Sequence, residues 1–161
     1  MDPSHVLWIG GGRGSGKSEV ARALSERFGL QLYSVDEQAA VHEARMPGAG
    51  PGWTSLDEFV TVSRHRFRLV LEDIRLLADT PVAIVEGVEL LPTSVSAVLG
   101  APGQAVFLIA AGDDPISARI EREARELRLT ALDVDRPLDE LIELTAEHFA
   151  EAISAAADRS P

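Results

Sequence analysis

Residues 11–18 combine residue types and spacing that suit the binding of an anion. They read Gly-Gly-Arg-Gly-Ser-Gly-Lys-Ser and fit the pattern Gly-x-x-x-x-Gly-Lys-Ser. Glycines let the backbone curl around an anion with several N–H groups directed at its oxygens, while the lysine reaches terminal phosphates and the serine hydroxyl binds Mg²⁺. The sequence therefore predicts a phosphate-binding loop. Its candidate nucleotide contacts are Gly11, Gly12, Arg13, Gly14, Ser15, Gly16, Lys17 and Ser18.

Lys17 is the only lysine in the chain, and the other fourteen basic residues are all arginine. A compact ammonium group on a slim stem fits where a planar guanidinium would not, so this exception favours a specific role in a tight loop. The alternative interpretation is a chance glycine turn before a helix. It does not explain why eight positions match and the single lysine falls among them. We therefore predict that Lys17 contacts the β- and γ-phosphates of a nucleotide.

The elements that must position this loop are a strand before it and a helix after it. The apolar run at residues 6–9 predicts a buried strand, and the amphipathic pattern at 17–28 predicts a helix. The predicted strands cover residues 6–9, 30–33, 82–85, 105–109 and 129–134. The predicted helices cover 17–28, 36–46, 55–78, 93–99, 114–128 and a last segment from 138 onward. Strands with little alternation, separated by helices, indicate a three-layer α/β/α fold with a five-stranded parallel sheet.

Composition sets limits on partners and location. The 161 residues, 45% apolar and 25% charged, suit a single domain covering 1–161. A net charge of −11 argues against binding to nucleic acid or to an anionic membrane surface, because both need exposed positive charge. No apolar run approaches the ~20 residues of a membrane span, and no basic segment leads into an apolar one near the N-terminus. We expect a cytoplasmic protein without a signal peptide, as either a monomer or a homodimer.

Two acidic residues follow predicted strands at the end of the sheet where the loop lies. Asp36 comes after the second strand and Glu86 ends the third, and ligands of such sheets bind beyond the carboxyl ends of the strands. Asp36 is a candidate to accept a proton from a substrate hydroxyl. Glu86 is a candidate to orient Mg²⁺ or its water, with Ser18 as a direct ligand. The alternatives, a helix cap for Asp36 and a structural turn carboxylate for Glu86, stay open.

Three parts of the sequence together resemble the P-loop kinases of small molecules. They are the loop at 14–18, Asp36, and the segment Val-Glu-Gly-Val-Glu-Leu-Leu-Pro at 85–92. That group includes nucleoside-monophosphate, shikimate, gluconate and antibiotic kinases. The resemblance implies a strand order of 2-3-1-4-5, ATP and Mg²⁺ as cofactors, and a small hydroxylated or phosphorylated acceptor bound by a segment at about 36–78. It also implies that Asp36 contacts the acceptor and that Asp135 and Arg136 lie near the adenine.

The segment between the fourth and fifth strands, at about 110–129, is short for the lid of such a kinase. A lid brings arginines over the transferring phosphate, where they contribute ~10³–10⁵ in rate. Arg119, nearest the start of the predicted helix, is the candidate catalytic arginine. Arg122, Arg125 and Arg128 follow at intervals of three and are interspersed with glutamates. A solvated face of ion pairs is the alternative interpretation of this whole set.

The long helix predicted at 55–78 carries basic residues that suit an anionic acceptor. Arg64, Arg68 and Arg75 share one face, with His65 and Arg66 beside it. Arginines of this kind bind carboxylates and phosphates through paired hydrogen bonds. A solvated helix face is the alternative interpretation.

The segment before that helix contains a glycine- and proline-rich loop at 47–52, which we expect to move. Trp53 follows it, either as a surface on which the acceptor stacks or as a hydrophobic staple before the capping box at 55–58. His5, His42 and His148 lack the spacing of metal ligands, so we predict no zinc site.

Two functions from different classes fit these features. The first is an ATP- and Mg²⁺-dependent kinase in which Lys17 neutralises phosphates, Asp36 orients the acceptor hydroxyl, and Arg119 steadies the transferring group. The second is a nucleotide-binding module or switch with little turnover, which the short lid favours. GTP in place of ATP stays open. A GTPase of the Asn-Lys-x-Asp type does not fit, because the chain has no second lysine.

Overall fold

The structure, a computed structural model, describes residues 1–46, 52–79 and 81–157. The strands are β1 (Leu7–Gly11), β2 (Gln31–Ser34), β3 (Ala83–Gly87), β4 (Ala105–Ile109) and β5 (Thr130–Asp133). The helices are α1 (Lys17–Phe28), α2 (Ala39–Arg45), α3 (Leu56–Leu76), α4 (Pro92–Ser96), α5 (Pro115–Glu126) and α6 (Leu138–Ala157). Single turns of 3₁₀ helix, Pro3–His5 and Pro102–Gln104, precede β1 and β4.

The five strands form one parallel sheet in the order β2-β3-β1-β4-β5, which confirms the predicted α/β fold and its strand order. β1 lies at the centre, where Trp8 is in register with Val85 of β3 and Ala105 of β4. β2 pairs with β3 so that Ser34 lies beside Glu86. Because the strands are parallel, the loop after β1 and the polar residues that end β2 and β3 meet at one edge of the sheet.

Side chains of the central strands alternate between two apolar cores, one on each face of the sheet. Val6 and Trp8 enter the core covered by α3, α4 and α5. Leu7 and Ile9 enter the core covered by α1 and α6. Every residue of β1 and β3 is buried, which explains why these strands read as continuous apolar runs in the sequence. The loop therefore follows directly on a strand that is buried on both faces of the sheet.

The helix after β2 begins later than the sequence predicts. Its first residue is Ala39, its cap position is Gln38, and a turn occupies residues 35–38. The helix-cap interpretation of Asp36 is therefore wrong. The turn is closed by hydrogen bonds from the N–H of Gln38 to the carbonyl of Val35 and from the N–H of Ala39 to the carbonyl of Asp36. The carboxylate of Asp36 is left to face the phosphate-binding loop.

The start of α3 follows the predicted capping pattern. The Oγ of Ser55 accepts a hydrogen bond from the N–H of Glu58 at 3.2 Å, and the Glu58 carboxylate accepts from the N–H and hydroxyl of Thr54. These hydrogen bonds lower the pKa of Glu58. Of the loop predicted at 47–52, only Gly52 belongs to the described residues. No helix in the described ranges is both long and apolar enough to cross a bilayer.

Candidate active site

The loop between β1 and α1 has the backbone conformation that an anion cradle needs. Gly14 and Gly16 have φ values of 73° and 82°, in the left-handed region that glycine adopts without strain. Gly16 is also the cap residue of α1, and it makes no side-chain capping bond because it has no side chain. The first N–H groups of a helix have no carbonyl one turn earlier to bond with. They and the helix dipole are therefore directed at whatever binds in the loop.

Lys17 and Asp36 lie opposite each other at the mouth of this loop. The Nζ of Lys17 is 3.9 Å from Oδ2 of Asp36. The lysine side chain is 7% exposed, whereas that of Asp36 is 50% exposed. The ammonium group is thus held on the inner side of the site, and the carboxylate lies at its solvent side.

Ser18, Glu86 and Ser34 form a chain of hydrogen bonds across three elements. The Oγ of Ser18 donates to Oε2 of Glu86 at 3.1 Å, and the Oγ of Ser34 donates to Oε1 of the same carboxylate. Glu86 is 2% exposed, so its carboxylate lacks the water that would surround it in solvent. The two hydroxyls donate hydrogen bonds in place of that water. Ser34 has a position beside Glu86 in the sheet and was not among the residues predicted from sequence. It orients the carboxylate toward Ser18.

This arrangement fits the way proteins hold Mg²⁺ beside a nucleotide. Mg²⁺ prefers oxygen ligands and usually binds through one or two protein groups, the substrate phosphates and several waters. The Ser18 hydroxyl and the Glu86 carboxylate supply oxygen donors within hydrogen-bonding distance of each other. Among the described residues no group of three or more histidine, cysteine or acidic side chains forms a metal cage. Ser18 and Glu86 would therefore hold the ion together with phosphate oxygens.

A cavity of about 510 Å³ adjoins the loop, a size that suits a small organic molecule. Its walls come from the phosphate-binding loop, the turn and helix after β2, the segment before α3, Arg66 in the middle of α3, and the segment after β3. Arg13 and Lys17 line it on the loop side, and Asp36 lies between loop and cavity. The cavity thus extends from the phosphate-binding loop to Arg66 of α3 and Glu89.

The floor of the cavity contains an ion pair that the sequence analysis did not assign to the site. Arg66 on α3 lies 3.0 Å from Oε1 of Glu89, in the segment after β3, and 3.6 Å from Oε1 of Glu43 on α2. Arg66 is 5% exposed and Glu89 is 3% exposed. Burial raises the pKa of Glu89, and the neighbouring Arg66 guanidinium opposes that rise. All three residues line the cavity.

One signal in the sequence points to Arg66 in retrospect. The buried positions of α3 recur every three or four residues, and Arg66 falls among them, next to Phe67. A charged residue within an apolar stripe needs a buried partner of opposite charge. The sequence could not name that partner, because Glu89 lies on a different element. By contrast Arg64, Arg68 and Arg75, the face we predicted for the acceptor, are exposed and do not line the cavity.

Trp53 packs as the hydrophobic-staple interpretation predicts, and stacking of an acceptor on its ring remains a prediction. Its ring packs edge-on against Phe59 of α3, with 4.8 Å between centroids, as a hydrophobic staple would. It also lines the cavity, and the guanidinium of Arg13 lies 5.0 Å from its ring centroid. This cation–π contact links the phosphate-binding loop to the start of α3. The ring of Trp53 is thus held in place as one wall of the cavity.

A second polar cluster fixes the helix that carries Glu43. Asp73 of α3 accepts hydrogen bonds from Tyr33 at 2.6 Å and Arg45 at 2.7 Å, and its Oδ2 lies 2.9 Å from Nε2 of His42. Burial alone would raise the pKa of Asp73, but these bonds hold it below its usual range. The same burial raises the pKa of Tyr33. The cluster joins β2, α2 and α3, so the cavity wall formed by α2 is anchored from behind.

Arg119 has a partner on its own helix. Its Nη2 lies 2.7 Å from Oε1 of Glu123, a buried residue whose other oxygen accepts bonds from the N–H and hydroxyl of Thr93. Arg119 does not line the cavity. Contact between Arg119 and a transferred phosphate remains a prediction. Arg125 pairs with Glu121 at 2.7 Å on the exposed side of α5, the arrangement expected of a solvated ion-pair face.

Asp135 and Arg136 form local bonds in the turn before α6. The N–H of Asp135 donates to Oδ1 of Asp133 at 2.9 Å, and Nε of Arg136 donates to the carbonyl of Asp133 at 2.8 Å. Arg136 also pairs with Glu140 at 3.1 Å. The turn follows the carboxyl end of β5, two strands from the loop. A contact with adenine is compatible with that place and remains a prediction.

Comparison with solved structures shows the same fold in kinases of small molecules. A shikimate kinase from Aquifex aeolicus is 18% identical with a TM-score of 0.58, and the match covers 96% of this chain and 99% of that one. A gluconokinase from Sinorhizobium meliloti is 19% identical with a TM-score of 0.51, and both chains are covered completely. A sugar kinase from a Janibacter species is 15% identical with a TM-score of 0.50, over 92% of this chain and 95% of that one.

These similarities confirm that the chain has the P-loop kinase-like α/β fold that the sequence resemblance implied. Identities of this size show a shared fold and leave the activity to be argued from the site. No family model matches the chain, and no curated protein matches it.

Proposed function

We propose that this protein is a kinase that uses Mg²⁺ and ATP to phosphorylate a hydroxyl group of a small molecule. The observation that carries the proposal is the position of Asp36, whose carboxylate lies 3.9 Å from Lys17 at the entrance to a cavity. The cavity of about 510 Å³ extends from the phosphate-binding loop to Arg66 and Glu89, which gives room for a small molecule beside a phosphate held by Lys17. The fold shared with shikimate kinase and gluconokinase supports the same conclusion.

In the proposed reaction the acceptor oxygen attacks the γ-phosphorus of ATP while the bond from that phosphorus to the bridging oxygen breaks, so that ADP leaves. The proton of the acceptor hydroxyl passes to the carboxylate of Asp36. Lys17 and the N–H groups at the start of α1 balance the charge on the phosphates. Asp36 lies 3.9 Å from Lys17, so an acceptor hydroxyl at its carboxylate is close to a phosphate that the lysine holds.

Ser18 and Glu86 would hold Mg²⁺, which when bound offsets charge on the β- and γ-phosphates. The role of Ser34 is to keep the Glu86 carboxylate in place through its hydroxyl. Because Glu86 is buried and lies in the central part of the sheet, its orientation is set by the fold rather than by solvent. This rigidity suits a group that must not rearrange during transfer.

The direct test is ADP release in the presence of Mg²⁺ and ATP, measured with a panel of sugars, polyols, amino sugars, nucleosides, nucleotides and hydroxy acids. We expect at least one class of hydroxyl compound to stimulate turnover well above the rate without acceptor. Tight binding of ATP with no stimulation by any class would count against a kinase.

Replacing Asp36 with Asn should lower kcat by about 10²- to 10⁴-fold, because the amide cannot take the acceptor proton. The affinity for ATP should change little, since Asp36 contributes no positive charge to the phosphates. Acceptor-stimulated ADP release and nucleotide titration measure the two quantities separately. Glu37→Gln, which changes the neighbouring exposed carboxylate, is the matched control and should keep full activity. Equal turnover in both variants would remove Asp36 from the mechanism.

Replacing Glu86 with Gln should raise the Mg²⁺ concentration needed for half-maximal nucleotide binding by about 10- to 100-fold. The amide keeps the shape of the side chain but loses the charge and one acceptor lone pair directed at Ser18. Isothermal titration of ATP at a series of Mg²⁺ concentrations gives this value without requiring turnover. Glu26→Gln, at an exposed position of α1, serves as control. An unchanged Mg²⁺ dependence would show that Glu86 is a structural carboxylate.

The second candidate function is a nucleotide-binding module with little turnover, and the pairing of Arg119 with the buried Glu123 favours it. An arginine held in this way would not help to stabilise a transferring phosphate. This candidate predicts micromolar or tighter binding of Mg-ATP together with negligible ADP release across the acceptor panel. Substantial phosphorylation of any acceptor would eliminate it.

A further inference from the structure

The charged side chains that line the cavity fall into two groups. Lys17 and Arg13 belong to the phosphate-binding loop, and a bound triphosphate would engage the lysine. The other charged side chains of the lining are the carboxylates of Asp36, Glu43 and Glu89 and the guanidinium of Arg66, so that carboxylates outnumber guanidinium groups by three to two even when Arg13 is counted. Residues 47–51, next to Trp53 in the sequence, have no charged side chain that would alter this balance. The acceptor end of the cavity is therefore acidic.

The guanidinium of Arg66 is already neutralised by carboxylates. Arg66 lies 3.0 Å from Glu89 and 3.6 Å from Glu43, and only 5% of its surface is exposed. A carboxylate or phosphate of an acceptor would have to displace Glu89 and leave that carboxylate buried without its partner. It would also lie near Asp36 and the phosphates of the nucleotide. Both effects oppose an anionic acceptor, although the basic residues of α3 suggested one at the level of sequence.

The same groups have unused capacity to accept hydrogen bonds. Oε2 of Glu89 is buried and has no partner within the described part of the chain. Asp36 and Glu43 are partly exposed, with side chains 50% and 35% accessible, and both face the cavity. Groups that donate hydrogen bonds, such as hydroxyls and ammonium groups, complement such a surface. An ammonium group in addition offsets the excess negative charge.

From this charge balance we infer that the acceptor is a hydroxylated amine, such as an amino sugar, an aminocyclitol or an amino alcohol. Its reacting hydroxyl lies at Asp36, and its ammonium group lies between Glu43 and Asp36. The Arg66–Glu89 pair forms a polar floor that receives further hydroxyls. Trp53, held by Arg13, covers the apolar side of the carbon skeleton. This inference rests on the proposed kinase function for the identity of the reacting hydroxyl, but the charge preference concerns binding alone.

The test measures binding to the protein loaded with Mg²⁺ and the non-hydrolysable analogue AMP-PNP. The probes form three sets whose members are similar in size and hydroxylation and differ in charge. The sets are glucosamine, glucose and glucuronate; streptamine, inositol and quinate; and serinol, glycerol and glycerate. Saturation-transfer NMR and equilibrium dialysis give the affinities. We expect the amine to bind at least about tenfold more tightly than the carboxylate in the sets that fit the cavity, because like charges in a partly buried site repel.

A variant connects the preference to a named residue. Glu43→Gln should weaken binding of the amine by about fivefold, the size expected for a partly exposed ion pair, and should leave the neutral probe unaffected. Glu37→Gln, exposed and outside the cavity, should change neither. Tighter binding of the carboxylates, affinities independent of charge, or no binding by any of the nine probes would overturn the inference. Binding of amines without phosphorylation would contradict the kinase proposal alone, and phosphorylation confined to carboxylates would contradict this inference alone.

Discussion

Replacing Lys17 with Ala should lower kcat by about 100- to 1,000-fold and raise the dissociation constant of Mg-ATP, with the fold unchanged. The ammonium group is the only lysine charge in the chain, and 7% exposure of its side chain shows that it lies inside the site rather than in solvent. Losing one preorganised donor to transferring charge has an effect of about this size in other enzymes. Nucleotide titration, ADP release and circular dichroism measure affinity, rate and fold.

Two further variants make that experiment specific. Lys17→Arg keeps the charge but brings a planar, wider group into a loop built around two glycines in the left-handed region, so we expect it to remain defective. Arg22→Ala removes an exposed charge from the same helix and should behave like the unmodified protein. If Lys17→Ala binds Mg-ATP with undiminished affinity, the loop does not hold phosphate and the proposed function fails.

Replacing Arg66 with Met should destabilise the protein by about 3–5 kcal/mol, because it leaves the carboxylate of Glu89 buried without a cation. For a chain of this length such a loss lowers the melting temperature by roughly 6–20 °C. The methionine side chain has a similar length, so the effect reports the lost ion pair more than a lost volume. Thermal and urea unfolding at pH 7 measure it.

The double variant Arg66→Met with Glu89→Gln separates the ion pair from packing. Removing both charges should recover most of the stability, since a buried ion pair often contributes little more than neutral groups of the same shape. Arg68→Met, on the exposed side of α3, should change the free energy of unfolding by less than about 0.5 kcal/mol. A single Arg66→Met variant as stable as Arg68→Met would show that the pair does not hold the cavity floor together.

Lys17 and Arg66 differ in how much of their surroundings the local sequence specifies. Lys17 could be recognised because everything that defines its role lies within eight consecutive residues. Arg66 could be recognised only as a charge in an apolar stripe. Its partners, Glu89 and Glu43, lie on other elements, and no local pattern specifies which acid faces which base. For this reason the sequence offers the face of Arg64, Arg68 and Arg75 either to an acceptor or to solvent, and it does not separate the buried Arg66 from them.

Asp36 and Ser34 illustrate the same limit at the end of β2. The sequence places an acid after the second strand, but the residue type alone does not distinguish a helix cap from a catalytic carboxylate. The structure excludes the helix cap, because α2 begins at Ala39, and it places the carboxylate opposite Lys17, while the catalytic role remains a proposal. The role of Ser34 depends wholly on register, since its partner Glu86 is its neighbour across the sheet rather than along the chain.

The sequence by itself determined the phosphate-binding loop, the parallel sheet and the helices around it. These features depend on short-range physics. The glycine spacing around the lysine–serine pair marks backbone conformations that glycine adopts without strain. The apolar periodicity marks the faces of helices and strands that must be buried. Only the tertiary structure decided the charge of the acceptor cavity. That charge depends on which acidic and basic side chains of α2, α3 and the segment after β3 lie within a few ångströms of each other. Burial then changes the strength of each interaction, and residue types alone do not encode burial.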